Sequence, residues 1–219
     1  MSARQAILFD LDGTLADTAP DLGAAVNRLR ADQGLAPLPI EKLRPFASAG
    51  ARGLVRAGFG VNPGDAEYEA LRSAFLEHYA ERTCVETRLF AGVPELLAEL
   101  GRRRLAWGIV TNKALRFTER IVAALSLAPD CVVGGDSTPH LKPHPASLLM
   151  AAERLRLAPA ACFYLGDDLR DIQAARAAGM RPVAVEWGYH HPDNSGPGTW
   201  RADAVLSRPG NLLSLLEQS

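Results

Sequence analysis

What the chain lacks narrows it first. Its three cysteines, Cys84, Cys131 and Cys162, are an odd and scattered set without CxxC spacing. That offers no disulfide framework and predicts reduced, buried thiols in a cytoplasmic protein. Neither sign of charge is in surplus, since 24 Lys and Arg stand against 25 Asp and Glu, so no net field draws the chain to nucleic acid or to an anionic membrane. No apolar run approaches the ~18 residues of a membrane span, and no basic segment leads an apolar signal core. The expectation is a protein that is neither exported nor anchored. Internal repeats and low-complexity tracts are missing as well, which leaves a small molecule as the expected partner.

What is present is ordinary in bulk and specific in arrangement. A hydrophobic content of 47% with 22% charged residues fits a globular protein, and 219 residues suffice for one core or a core with a smaller lobe. Short apolar runs at 6–10 (AILFD), 106–112 (AWGIVTN), 131–135 (CVVGG), 162–167 (CFYLGD) and 182–187 (PVAVEW) read as buried strands. Amphipathic stretches near 93–103, 114–125, 144–156 and 168–178 separate the later runs. The pattern predicts an α/β fold with a doubly wound parallel sheet covered on both faces. Between residues 10 and 106 the rhythm breaks: helical patterns occupy 20–33, 50–58 and 66–82, turn signals sit at 37–39 and 62–65, and no strand pattern is evident. Residues 17–86 are therefore expected to form an inserted helical cap above the first strand, with 1–16 and 87–219 as the core domain. The one long Gly/Pro/polar stretch is YHHPDNSGPGTW, residues 189–200.

The chemistry gathers at strand ends. The first strand runs straight into Asp10 and Asp12, and burying ionised carboxylates is costly unless a partner compensates them. Residues i and i+2 of an extended segment point the same way, so both acids can face one crevice at the carboxyl end of the sheet, where such folds bind ligands. Gly13 lets the backbone approach a ligand closely, and the amides after it can donate to an anion. The second strand ends in Thr111 and Asn112, the third is followed by Lys142 within LKPHP, and the fourth ends GDDLRD, which supplies Asp167, Asp168 and Asp171. Taken singly, Asp168 or Thr111 is a helix cap and Lys142 a surface charge. Their joint occurrence at four strand ends describes an oxygen-ligand site with one lysine, suited to Mg²⁺ and a phosphoryl group together.

The order DLDGTLADT, VTN, KPHP, GDDLRD resembles the phosphatases of the haloacid dehalogenase (HAD) superfamily, in the branch with a small helical cap that includes phosphoglycolate phosphatase. The resemblance spans nearly the whole chain. It implies a HAD-like Rossmannoid core with the cap inserted after the first strand. It also implies an Mg²⁺-dependent hydrolase of a small phosphate ester, acting as a monomer or homodimer. On that pattern Asp10 is the nucleophile and Asp12 the general acid and base. Mg²⁺ is held by Asp10, the Asp12 backbone carbonyl and Asp167, with Asp171 acting through waters or through Lys142. Thr111 and Lys142 bind the phosphoryl oxygens.

In the cap, SAGARG (48–53) offers Ser48 and Arg52 to the leaving group, whereas Arg28, Arg30, Arg56 and Arg72 read as ordinary exposed charges. Beside the site, Asn112, Lys113 and Arg116 are candidates for phosphate or substrate contact. WGIVTNKALRF, GDDLRDI and GYHHPDN followed by Trp200 look most like the phosphatases of N-acetylmuramic acid 6-phosphate, which act in cell-wall sugar recycling. Adjacent His190 and His191 read as a loop rather than a metal pair. The rivals are a 2-phosphoglycolate phosphatase, a sugar phosphomutase sharing both first-strand acids, and a non-catalytic sugar-phosphate sensor. A dehalogenase would need no acid at position 12. A phosphonatase would want a reactive cap lysine, and Lys42 is the only lysine there.

Overall fold

Each continuous apolar run of the sequence becomes a buried strand and each amphipathic stretch a helix laid over it. The computed structural model describes residues 5–190 and 195–218. In chain order these are β1 (Ala6–Phe9), β2 (Ala16–Asp17), α1 (Ala19–Asp32), α2 (Ile40–Leu43), a 3-10 helix over Arg44–Ala49, α3 (Gly50–Phe59) and α4 (Tyr68–Glu81). There follow β3 (Arg88–Leu89), α5 (Val93–Arg102), β4 (Ala106–Val110), α6 (Leu115–Ala124), β5 (Cys131–Val133) and α7 (Ala146–Leu155). The chain then forms β6 (Cys162–Gly166), α8 (Leu169–Ala178), β7 (Arg181–Val185), β8 (Ala204–Leu206) and α9 (Asn211–Glu217). No helix among the described residues is long and apolar enough to cross a membrane.

Six strands pair in the order β5-β4-β1-β6-β7-β8, every pairing parallel. The chain works outward from β1 to β5, crosses back to β6 on the other side of β1, and works outward again. A ligand crevice opens where the order reverses, at the carboxyl ends of β1 and β6. Alternation along β1 sends Ile7 and Phe9 to the face covered by α5 and α9, packing with Leu96, Leu100 and Leu212. Ala6 and Leu8 point to the opposite face, against Leu148 of α7 and the alanines of α8. With both faces buried, truncating a side chain such as Leu8 to alanine would cost about 2–5 kcal/mol.

The five strands read from the sequence are present; β2 and β3, in the interval where no strand pattern is evident, and β8 and α9 are additions. The three residues of β8 are too few to show a period, and pairing with β7 is what makes them a strand. Between β2 and β3 the described chain is helical. Its helices pack Leu22, Val26, Leu29, Leu43, Leu54, Phe75 and Tyr79 into a separate cluster that Phe117 of α6 and Tyr189 also join. β2 and β3 pair antiparallel, Ala16 opposite Leu89 and Asp17 opposite Arg88, so the outgoing and returning chains lie side by side. Buried Asp21 of α1 fixes the return. Its carboxylate accepts the Val85, Glu86 and Thr87 amides and the Thr87 hydroxyl at 2.7–3.1 Å.

Candidate active site

β1 carries the chain to Asp10 and a tight turn follows. The amides of Thr14, Leu15 and Ala16 all donate to the Leu11 carbonyl, and the Gly13 amide donates to that of Ala16. Gly13 has φ +84, and a Cβ there would lie 2.2 Å from the Asp167 carboxylate, so a side chain is excluded twice over. Crowding is equally tight at Gly188, 2.1 Å from Asp167 Cβ, and at Gly166, 2.2 Å from the Asp171 carboxylate. These glycines let the acids of β6 and α8 come up against β1.

Asp10, Asp167 and Asp171 are all buried, with one carboxylate oxygen of each within 4.8 Å of the others. Asp167 accepts hydrogen bonds from the Ser48 hydroxyl at 2.9 Å, the Tyr189 amide at 3.0 Å and the Thr14 hydroxyl at 3.2 Å. Burial, reinforced by the charges of Asp10 and Asp171, raises its carboxyl well above the ordinary range. Burial likewise raises Asp171, to about 7, helped by Asp10 and opposed by Lys142. Two carboxyls raised in this way beside Asp10, on oxygen donors alone, are the surroundings a hard divalent cation relieves.

Lys142 lies beneath two of them. Its Nζ is 3.0 Å from Asp10 Oδ1 and 2.6 Å from Asp171 Oδ1, and it donates at 2.7 Å to the Tyr164 hydroxyl, which donates in turn to the Val110 carbonyl. Burial alone would lower the ammonium, yet the charges of Asp10 and Asp171 hold it above its ordinary value. Asn112 grips the Lys142 backbone reciprocally, donating to its carbonyl at 3.1 Å and accepting its amide at 2.8 Å. The amide read as a substrate contact is thus engaged in holding the lysine.

Asp12 faces the cavity beside this cluster. It accepts the Thr18 hydroxyl and both oxygens lie near Lys113 Nζ, at 2.9 and 3.1 Å. Lys113 also sits 4.8 Å above the Tyr79 ring, and its amide donates to Thr111 Oγ1 at 3.2 Å. Asp168 proves to be the cap of α8, in a reciprocal capping box with Asp171. It also takes both arms of Arg170, at 2.8 and 2.9 Å, and Arg170 reaches on to the Ser48 carbonyl at 2.9 Å.

Ser48 and Arg170 therefore tie the helical segment to the strand ends. Arg52 lies at the cavity wall and is exposed. Arg72, which reads from the sequence as an ordinary surface charge, is exposed but also lines the cavity. Sequence reasoning missed Tyr164, Arg170 and Tyr189. The Tyr189 hydroxyl accepts the Thr18 and Ala19 amides at 2.6 and 3.0 Å and donates to Asp17 at 3.0 Å, while its own amide binds Asp167. Only its place just after β7 hinted at this. His190 turns its ring to the Glu186 carbonyl at 2.7 Å, and His191 lies outside the described residues.

A cavity of about 990 Å³ opens over these groups, with Asp10, Asp12, Thr111 and Lys142 at one end and Arg52, Arg72 and Phe75 at the other. Residues 7–185 match the family model of haloacid dehalogenase-like hydrolases. The N-acetylmuramic acid 6-phosphate phosphatase of Pseudomonas aeruginosa is 42% identical over 98% of this chain and 96% of its own. A phosphoglycolate phosphatase of Xanthomonas campestris pv. campestris is also 42% identical, over 95% and 94%. Among solved structures, one described as a "predicted phosphoglycolate phosphatase" from Haemophilus somnus superposes with a TM-score of 0.86 at 27% identity, over 99% of both chains. With its strand-end acids gathered under one cavity and the family pattern running through all but its ends, the chain belongs to the haloacid dehalogenase-like hydrolases.

Proposed function

We propose that the protein is an Mg²⁺-dependent phosphatase of N-acetylmuramic acid 6-phosphate, working in the cytoplasm in the recycling of cell-wall sugar. The observation that carries the reading is the pairing of two acids in different surroundings at one cavity end. Asp10 sits on Lys142 and among carboxylates, and Asp12 on Lys113 and Thr18. Two acids so separated can take separate roles. Asp10 attacks phosphorus in line and becomes an aspartyl phosphate, while Asp12 protonates the leaving alkoxide and then takes a proton from the attacking water. Lys142, fixed by Tyr164 and Asn112, holds Asp10 in place and offsets charge on the phosphoryl oxygens, to which Thr111 donates. Asp10 and Asp167, with the Asp12 carbonyl, would hold Mg²⁺, and Asp171 supports Lys142 beside them. The bound ion supplies charge neutralisation between the nucleophile and the phosphate.

Two observations support the sugar ester over a smaller one. The cavity of about 990 Å³ is at the top of the usual ligand-pocket range, and the relatives from two Pseudomonas species that are 42% and 41% identical are named for that substrate. The Xanthomonas relative at 42% favours 2-phosphoglycolate as the second reading. Phosphate release by the purified protein with Mg²⁺, comparing N-acetylmuramic acid 6-phosphate, 2-phosphoglycolate and β-glucose 1-phosphate with an EDTA control, tests both. Preference for the two-carbon ester would replace the first reading with the second. No Mg²⁺-dependent release from any of them would remove both.

A further inference from the structure

α4 contributes Tyr68, Arg72, Phe75, Leu76 and Tyr79 to the cavity wall. Their spacings of four, three, one and three put them on a single helix face. The middle of this stripe is apolar, and the Phe117 ring meets Tyr79 edge-on at 5.1 Å between centroids. Its two ends are not apolar. Tyr79 is 1% exposed, and its hydroxyl closes no full hydrogen bond among the described residues, with the Lys113 ammonium beside it as its charged neighbour. A buried hydroxyl left so is an exception that calls for a missing partner. At the other end Arg72 reaches Glu69 only at 3.6 Å, with both side chains largely in solvent. Arg52 and Arg116, also on the wall, join no ion pair among the described residues. Of the nearby acids, Asp136 accepts the Leu115 amide and Asp168 is held by Arg170. The mouth is therefore left with positive charge to spare.

We propose that this stripe is the leaving-group subsite, with the Tyr79 hydroxyl and Arg72 selecting a phosphate ester whose leaving group carries a hydrogen-bonding substituent and a distant carboxylate. Seven positions separate the two residues, so their Cα atoms lie about 10 Å apart along the helix. A two-carbon acid is too short to meet both side chains, whereas a sugar bearing an acidic side arm can present a group to each. The inference rests on the phosphatase reading and deepens it. Tyr79 and Arg72 act on substrate selection, and neither is needed for attack on phosphorus.

Wild type, Tyr79→Phe and Arg72→Gln would be assayed with Mg²⁺ on three esters: N-acetylmuramic acid 6-phosphate, N-acetylglucosamine 6-phosphate, which lacks the acidic arm, and p-nitrophenyl phosphate. Tyr79→Phe should lower kcat/KM on the first ester at least tenfold more than on p-nitrophenyl phosphate, chiefly through KM. Arg72→Gln should narrow the preference for the first ester over the second about tenfold. Because Tyr79→Phe deletes a hydroxyl that closes no full hydrogen bond among the described residues, its thermal midpoint should match or exceed the wild type. A marked drop in that midpoint, or equal losses on all three esters, overturns the subsite. Wild-type turnover of p-nitrophenyl phosphate without either sugar ester would also overturn it while leaving the phosphatase reading intact. Turnover of none of the three would bring down both.

Discussion

The two ends of the cavity are built on opposite plans. At the strand ends the charged groups are buried and paired: Lys142 touches Asp10, Asp171 and Tyr164, and Lys113 holds Asp12, within 3.1 Å in every case. Along α3 and α4 the wall is formed by aromatic rings and by arginines that are exposed and, among the described residues, loosely paired or unpaired. Buried ions tolerate no slack, because each displaced partner leaves a charge in a dry site. Exposed arginines accept a change of partner at little cost. On the proposed reading, chemistry is thus fixed at one end of the cavity and recognition is left adjustable at the other.

The largest effect should come from breaking the fixed end. Asp10→Asn should lower phosphate release by more than about a thousandfold, as expected for loss of a nucleophile, while circular dichroism and the thermal midpoint show an intact fold. Retained turnover would overturn the assignment. Lys142→Met should both inactivate and destabilise, since it leaves Asp10 and Asp171 facing each other uncompensated. A loss of about 3–5 kcal/mol in urea unfolding is expected for a broken buried pair, and a loss below about 1 kcal/mol would show that the pair is not strained by burial.

A gentler probe uses pH and metal. Asp167 and Asp171 bind protons more tightly folded than unfolded, because burial and then repulsion from Asp10 raise both and Asp171 reaches about 7. The native state then holds the extra protons, so metal-free stability should fall as pH rises from the ordinary carboxylate range near 4 to about 7. Mg²⁺ removes that repulsion, so the gain in thermal midpoint on adding it should be larger at pH 8 than at pH 5. A gain independent of pH would detach the ion from these acids. Smallest of all, Arg28→Ala breaks a pair with Glu81 whose side chains are about half exposed, and should change stability by less than about 1 kcal/mol.

What the sequence disclosed of the site follows the same division. Asp10, Thr111, Lys142 and Asp167 were legible because each stands at or just beyond the end of an apolar run, and a parallel sheet brings such ends together whatever the helices between them do. The helices between β2 and β3 were legible from their period. Asn112 and Lys113 were singled out, yet their engagement with Lys142 and Asp12 could not be read, because it joins residues 30 and 101 positions apart. Tyr189 and Arg170 meet the helical segment across longer gaps still. β8 escaped notice because three residues carry no period. Arg72 passed for a surface charge because exposure and lining a wide cavity look alike in a single chain.

The antiparallel rung between β2 and β3 brings the point where the chain leaves the sheet to within one strand spacing of the point where it returns. A short turn could join Ala16 to Leu89 without breaking a pairing among the six strands. The helices from α1 to α4 are, in that sense, a detachable fitting. A lineage could lengthen or replace them so long as the contacts they make to Asp167 and Lys113, through Ser48 and Tyr79, were kept or substituted.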